Sequence, residues 1–453
     1  MKKKLVSALL CVAMVATLLV GCGSTEQAPA DDTAATEETT EATTETTTEE
    51  TAEAEPASDE PAEIYMFIAS PEYADAINTL IEEYKTVAPN VTINYETTQS
   101  DYPTLLKAKI NSGETPDIFS STSGMEIDTY LDYSYDLAGQ PITEAMTDAV
   151  AATMASTEQG GGVHGLAIKG NWFGILYNKQ IFDELGLAYP TTFADLEAAC
   201  EKISAAGIRP FTTGMGEWWV WKHIGQHYVS AAAENAGISA GELASKFKNG
   251  EAHISDYPEM YNDFFNMVDL AVKYGDDKPL ESTLSTEEAA FATGEAAIML
   301  GQGAWVEADC LAINPDIQIG FNGYPVNDNA ALCKPISGSD QALRVNKDSA
   351  NLQAVLDFVN WWYTSDYAET WFNDVAGVVL PIKSDAESQY EVIKQGNELA
   401  NTVGTGDLTI IHDTDSFHQV FGETMQSYVA GTLTKDEACA EIEKQWQAID
   451  GAQ

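Results

Sequence analysis

Residues 64–95 read IYMFIASPEYADAINTLIEEYKTVAPNVTINY and contain a strand, a helix and a second strand in succession. The apolar run 64–68 is typical of a buried strand, and apolar residues then recur at helical spacing over 77–84. Pro89 ends this helix, after which apolar and polar residues alternate over 91–95. Such a unit predicts a parallel or mixed sheet covered by helices, which is the α/β fold class.

The same alternation continues towards the C-terminus. A second helical pattern over 105–110 ends at Gly113 and leads into a short apolar run at 116–119. From about residue 63 onward, the chain is too long for one ordinary core. We therefore expect two lobes.

The N-terminus has the pattern of an export signal. Three lysines precede an apolar run over 5–20, which is shorter than the roughly 20 residues that a transmembrane helix needs. The tetrapeptide LVGC at 19–22 resembles a bacterial lipobox. This resemblance implies that residues 1–21 are a lipoprotein signal peptide and that Cys22 carries a lipid. An ordinary signal peptide that contains a cysteine is the alternative.

Residues 22–62 form a second region of distinct composition. After Gly23 the segment is almost wholly Thr, Glu, Ala, Asp, Ser and Pro, without Lys, Arg or aromatic residues. It cannot bury enough apolar surface to fold, so we interpret it as an acidic, disordered tether. The whole chain has a formal net charge of -49, which argues against nucleic acid and anionic lipid as partners.

Four cysteines lie beyond the tether, at positions 200, 310, 333 and 439. None are spaced like a metal finger, and an even count in an exported chain permits disulfides. Cys310 and Cys333 are the pair closest in sequence, and whether they are bonded stays open. Cys200 lies on an apolar helix face, which predicts a buried free thiol.

A long segment at 177–214 reads YNKQIFDELGLAYPTTFADLEAACEKISAAGIRPFTTG and resembles the extracellular solute-binding proteins, the family that includes the maltose-binding protein. The similarity extends to PDIFSSTSG at 116–124, HGLAIKGNWFGILYNK at 164–179, FATGEAAIMLGQGAW at 291–305 and LRVNKDSANLQAVLDFVNWW at 343–362. The order and spacing of these motifs match the family over nearly the whole folded part.

The resemblance implies a periplasmic-binding-protein-like fold with two α/β lobes and a ligand cleft between them. The chain would cross the hinge near 167–173, 335–340 and 375–381. The implied boundaries place 63–170 and 338–374 in the N-terminal lobe, and 171–337 and 375–453 in the C-terminal lobe.

The resemblance also implies a function. The protein would capture a carbohydrate, an oligosaccharide in our interpretation, and deliver it to the membrane permease subunits of an ABC transporter. We expect a monomer at the extracellular face of the cytoplasmic membrane, held there through the lipid anchor only. We expect no enzymatic activity, no cofactor, no metal and no nucleic-acid partner.

A sugar site needs flat aromatic platforms together with fixed polar groups. Trp218 and Trp219 lie in the cluster EWWVW at 217–221, which we expect to be a loop, whereas Trp221 is assigned to the core. Trp305 follows a Gly-Gln-Gly turn and is the leading candidate for a platform. Trp172 lies at the first crossing and is a candidate ligand contact. The alternative is that it packs within the hinge.

The polar candidates follow strand ends or lie at the crossings, except Asp415, which the resemblance places in the last segment facing the cleft. Each of these residues could instead cap a helix or lie in a solvated loop. The polar candidates are Glu72, Ser120, Ser121, Ser123, Asn171, Ser339, Asp340 and Asp415.

Enzyme signatures are weak in this sequence. His223 and His227 are four residues apart and would share a helix face, but the flanking glutamate of an HExxH zinc site is absent. No GxSxG, Walker or GxGxxG motif occurs in the required context. A secreted glycan-active hydrolase, or a solute-binding protein for a non-sugar polar ligand, is the alternative function.

Overall fold

A computed structural model describes residues 61–99, 101–156 and 161–449, all within one compact unit, Pro56–Gln453. The signal peptide expected at 1–21, the modified Cys22 and all but the last two residues of the expected tether lie outside the described residues.

The described part alternates strands and helices. The strands are β1 (Ala62–Ile68), β2 (Val91–Thr97), β3 (Ile118–Thr122), β4 (Asn171–Phe173), β5 (Ile175–Asn178), β6 (Arg209–Thr213), β7 (Ala296–Leu300), β8 (Ile319–Asn322), β9 (Ile336–Gly338) and β10 (Gln341–Val345). The helices are α1 (Ala74–Val87), α2 (Tyr102–Ser112), α3 (Met125–Thr129), α4 (Pro141–Ala145), α5 (Asp148–Thr153), α6 (Lys179–Leu185), α7 (Phe193–Ala205), α8 (Trp218–Ala236), α9 (Ala240–Lys248), α10 (Phe264–Tyr274), α11 (Leu284–Ala292), α12 (Glu307–Ile313), α13 (Leu352–Thr364), α14 (Ala368–Thr370), α15 (Glu391–Val403), α16 (Asp415–Val429) and α17 (Lys435–Ala448).

Two four-stranded sheets organise the chain. In the first, with the order β10-β3-β1-β2, β1 is parallel to β2 and β3, while β10 is antiparallel to β3. The second sheet has the order β6-β7-β5-β8 and is also mixed. Helices cover both sheets, which confirms the α/β class predicted from the unit at 64–95.

Each sheet has its own apolar core. The first core contains Ile64 and Met66 of β1 together with the fully buried Trp362 and Trp371. The second core contains Phe211 of β6 and residues of α8, α10, α16 and α17, with Trp221 fully buried among them. Two separate cores define two lobes, because each buries its own apolar surface.

The segments that join the lobes run side by side. Strands β4 and β9 pair antiparallel, with Asn171 opposite Gly338. The backbone N–H of Gly170 donates to the carbonyl of Val379 over 2.8 Å. Each of the three crossings expected from the resemblance is thus hydrogen-bonded to a neighbouring crossing, and the two-lobed fold with a three-crossing hinge is confirmed.

The lobe boundaries themselves stay a prediction. Val378 and Ile382 pack in the first core, although the sequence placed residues from 375 onward in the second lobe. We therefore propose that the third crossing is completed beyond residue 382.

The four cysteines of the described residues are all free and buried. Cys310 packs in a small apolar cluster with Phe291 and Phe321, and the Cys333 thiol donates to the carbonyl of Gly323 over 3.4 Å. The pairing left open for Cys310 and Cys333 is therefore absent, and Cys200 is the buried thiol that its helix face predicts.

Candidate ligand-binding site

A solvent-open cavity of about 340 Å³ lies between the lobes. The first lobe contributes Glu72, Tyr102 and Ser120, and the second contributes side chains of α8, α12 and α16. Asn171 and Asp340 reach the cavity from the crossings. Ligand pockets for small molecules commonly measure about 300 to 1,000 Å³, so this space lies at the lower end of that range and can hold a small polar ligand.

Nine of the twelve predicted ligand-binding residues line this cavity. They are Glu72, Ser120, Ser121, Asn171, Trp218, Trp219, Trp305, Asp340 and Asp415. Their convergence fits the predicted site, while contact with a ligand stays a prediction.

The structure does not place Ser123, Trp172 and Ser339 on the cavity wall. The Ser123 hydroxyl donates to the backbone carbonyl of Ser339 over 2.6 Å, and the Ser339 hydroxyl donates to the carbonyl of Gln341 over 3.0 Å. Trp172 is buried, and its Nε1 donates to Asn397 Oδ1 over 3.1 Å. In this structure the three side chains are hydrogen-bonded to other parts of the protein, and their contact with a ligand stays a prediction.

The tryptophans at 218 and 219 open helix α8 instead of lying in a loop. Glu217 has the extended backbone of an N-cap residue, so the helix begins directly at Trp218. Trp221 turns into the second core, where its Nε1 donates to the carbonyl of Met215 over 3.2 Å. The helix thus directs Trp218 and Trp219 to the cavity and Trp221 away from it.

Trp305 is held by a chain of hydrogen bonds. Its Nε1 donates to Gln302 Oε1 over 3.2 Å, and Gln302 Nε2 donates to the buried carboxyl of Glu287 over 2.8 Å. The indole also meets Phe173 edge-on, with ring centroids 5.4 Å apart. A platform restrained in this way loses little conformational freedom when a ligand stacks on it.

Charges of alternating sign follow one another along the cavity. Lys169 Nζ lies 3.2 Å from Glu72 Oε1, and Lys222 Nζ lies 3.8 Å from Asp415 Oδ1. Burial raises the pKa of Asp340, but Lys169 and Lys222 outweigh burial and hold that pKa below its ordinary value. Asp340 therefore stays an acceptor-only carboxylate, and its Oδ1 accepts a hydrogen bond from Asn171 Nδ2 over 2.9 Å.

The sequence did not predict several side chains that line the cavity. Lys222 and His223 follow Trp219 by three and four residues, so one face of α8 carries all three. That spacing is visible in the sequence once the segment is read as a helix. Lys169 and Asp309 also line the cavity, and no local pattern distinguishes them from surface charges.

The two histidines of α8 are neutral. Burial is the main cause that lowers the pKa of each to about 3, and His227 stacks on Tyr324 with ring centroids 4.1 Å apart. No group of three or more potential metal ligands occurs within residues 61–99, 101–156 and 161–449. Among these residues, no helix has both the length and the apolar character that crossing a bilayer requires.

Two lobes joined by a narrow hinge around an open polar cavity define a hinge-bending ligand-binding protein. The model of the bacterial extracellular solute-binding protein family matches residues 70–369. The chain therefore belongs to that family, as the sequence motifs indicated.

Two relatives have low sequence identity, but the matches cover most of each chain. A multiple sugar-binding protein of Streptococcus mutans is 21% identical over 352 residues, which are 77% of this chain and 82% of the relative. The melibiose/raffinose/stachyose-binding protein MelE of Bacillus subtilis is 21% identical over 307 residues, or 65% of this chain and 68% of MelE.

A similar solved structure is a sugar transporter of Bacillus licheniformis in complex with stachyose. Its TM-score is 0.70 at 18% identity, and the match covers 85% of this chain and 99% of that one. At this low identity, the similarity shows that the two proteins share a fold.

Proposed function

We propose that this protein captures a neutral oligosaccharide between its lobes and delivers it to the permease subunits of an ABC transporter. The observation that carries the proposal is the composition of the cavity, in which Trp218, Trp219 and Trp305 accompany Asn171 and Asp340. Sugars present apolar C–H faces and a rim of hydroxyls, and such a wall matches both.

The relatives support a saccharide as the ligand class. One is named for multiple sugars and another for melibiose, raffinose and stachyose. We propose that the chain acts as a monomeric binding protein and not as a glycoside hydrolase. Its three-crossing hinge is suited to closing around a ligand, and closure is the signal that a permease can read.

A thermal-shift screen tests this proposal. Neutral sugars from monosaccharides to tetrasaccharides, including melibiose, raffinose and stachyose, should raise the melting temperature of the mature protein, because a ligand that binds only the folded state stabilises it by mass action. Amino acids, polyamines and nucleosides form the control set. Stabilisation by the control set alone favours the non-sugar alternative, and release of shorter sugars from the bound ligand favours the hydrolase.

We also propose that the chain is anchored outside the cytoplasmic membrane through a lipid on Cys22, a residue outside the described part. Cys22→Ser should release the protein into the soluble fraction, because serine lacks the thiol on which the lipid is built. The measurement is fractionation of expressing cells with detergent-free washes. A Cys22→Ser protein that still sediments with membranes would contradict the anchor.

A further inference from the structure

His223 occupies a distinctive place on the cavity wall. It lies on α8, only 6% of its surface is exposed, and its ring packs against Phe173, Trp219 and Trp305 with centroids 5.1, 5.4 and 5.3 Å away. Three aromatic neighbours fix the plane of the imidazole, so its ring nitrogens point in defined directions.

The hydrogen bond at one nitrogen determines the tautomer. His223 Nδ1 lies 3.1 Å from the carbonyl oxygen of Gly301, and a carbonyl only accepts, so Nδ1 carries the proton. The ring is neutral because burial, followed by Lys222, lowers the pKa of His223 to about 3. Nε2 is therefore a bare acceptor, and it has no hydrogen-bond partner among the described residues.

A second acceptor lies close to the buried His223 Nε2. Asp340 Oδ2 lies 3.9 Å from His223 Nε2, while the other carboxylate oxygen, Oδ1, is occupied by Asn171. Both His223 and Asp340 line the cavity. Two acceptors cannot hydrogen-bond to each other. Both are satisfied only when a bound group donates a hydrogen bond to each of them.

We propose that His223 Nε2 and Asp340 Oδ2 receive two neighbouring hydroxyls of the sugar, which makes His223 a specificity-determining residue of the cleft. This inference rests on the proposed function. A hydroxyl has one hydrogen to donate, so two acceptors select two adjacent hydroxyls. A sugar methylated at either oxygen loses a donor.

The charges of the cavity are mixed in sign. Lys169 and Lys222 help to hold the Asp340 carboxylate in its ionised form, and both also line the cavity. The pair therefore offers one neutral and one anionic acceptor to the hydroxyls of a saccharide.

The test compares two histidines of one helix. His223→Phe keeps the aromatic packing and removes the acceptor, and His227→Phe makes the same change at a buried histidine that does not line the interlobe cavity. Each variant is titrated by calorimetry with the neutral saccharide that most stabilises the wild type among melibiose, raffinose, stachyose and the other sugars of the screen. We expect about tenfold weaker binding for His223→Phe, since an unpaired donor costs about one decade in affinity, and an unchanged affinity for His227→Phe.

A spectroscopic readout separates a direct hydrogen bond from a packing effect. In ¹⁵N NMR spectra, the bare Nε2 resonance of His223, assigned by its loss in His223→Phe, should move upfield when the same saccharide is added, as an accepted hydrogen bond requires. The permethylated form of the same saccharide, which has no hydroxyl left to donate, should cause neither heat of binding nor this shift.

The outcomes distinguish the inference from the proposed function. If no saccharide binds the wild type, both are overturned. If a saccharide binds and the two variants have equal affinity, or if the Nε2 resonance does not move, only the role of His223 is overturned. Tight binding of the permethylated saccharide likewise overturns the role of the two acceptors and leaves saccharide capture intact.

Discussion

Replacing Trp305 by alanine is expected to weaken saccharide binding tenfold to a hundredfold. A large aromatic side chain that becomes fully buried contributes about 1.5 to 3 kcal/mol through the area that it removes from water, and about 1.4 kcal/mol corresponds to one decade in affinity. Trp305 lines the cavity, and its Nε1 is committed to Gln302, so the ring is oriented before the ligand arrives. Calorimetric titration of Trp305→Ala with the saccharide identified in the screen measures the loss.

The control for this prediction is Trp361→Ala. Trp361 is also partly buried, but it packs in the first lobe against Tyr84 and Tyr367 and does not line the cavity. Denaturant unfolding of both variants reports the stability that each substitution costs. An unchanged affinity for Trp305→Ala together with a large loss of unfolding free energy would assign Trp305 to the core and remove it from the site.

The second large effect is expected at Arg344, on stability. Its guanidinium is fully buried and donates to the Ser121 hydroxyl over 3.1 Å and to the carbonyls of His164 and Ile127, each over 2.9 Å. Arg344→Met keeps the apolar stem but leaves these acceptors unsatisfied inside the first lobe. We expect the free energy of unfolding to fall by about 3 to 5 kcal/mol, measured by urea unfolding followed through tryptophan fluorescence.

The sequence contains one other arginine, which provides a matched control. Arg209 is partly exposed, and its ion pairs with Asp276 and Glu295 span 2.8 and 3.3 Å. Because the Arg209 side chain keeps 23% exposure while Arg344 is fully buried, Arg209→Met should cost less than Arg344→Met. An equal loss of unfolding free energy in the two arginine variants would mean that the buried hydrogen bonds of Arg344 stabilise the protein no more than the ion pairs of Arg209.

Local sequence patterns were sufficient to predict β1, β2 and β3 of the first sheet, but not β10. Strand β1 follows from the apolar run at 64–68, helix α1 from the 3.6-residue period, and strand β2 from the alternation at 91–95. The three crossings came from the resemblance to a family and not from any local pattern. Their pairing, such as Asn171 with Gly338, joins residues far apart in the sequence, which periodicity cannot reveal.

The errors at the site also have a physical cause. The cluster at 217–221 was interpreted as a loop because it follows a Gly-rich turn. A helix instead separates the directions of the tryptophans by about 100° per residue and divides them between cavity and core. The preceding turn depends on Gly216, where a Cβ would lie 2.6 Å from the carbonyl oxygen of Ser282. This contact with a distant segment lets the chain enter α8 at Trp218.

Ser123 and Ser339 were predicted as ligand contacts from their positions after a strand and in a crossing. The hydrogen bond from the Ser123 hydroxyl to the Ser339 carbonyl joins residues 216 positions apart in the sequence. Only the folded chain shows that these two groups are already hydrogen-bonded. Conversely, Lys169 and Lys222 look like ordinary surface lysines in the sequence. They become parts of the site because the two lobes place them on one cavity.

Small-angle X-ray scattering of the mature protein, with and without a saturating concentration of the saccharide identified in the screen, tests the central claim most directly. Residues from both lobes line the cavity, so a ligand that contacts them all draws the lobes together. The account predicts a smaller radius of gyration with the saccharide and no change with a sugar that fails to bind. An unchanged scattering profile at full saturation would contradict closure of the two lobes around the ligand.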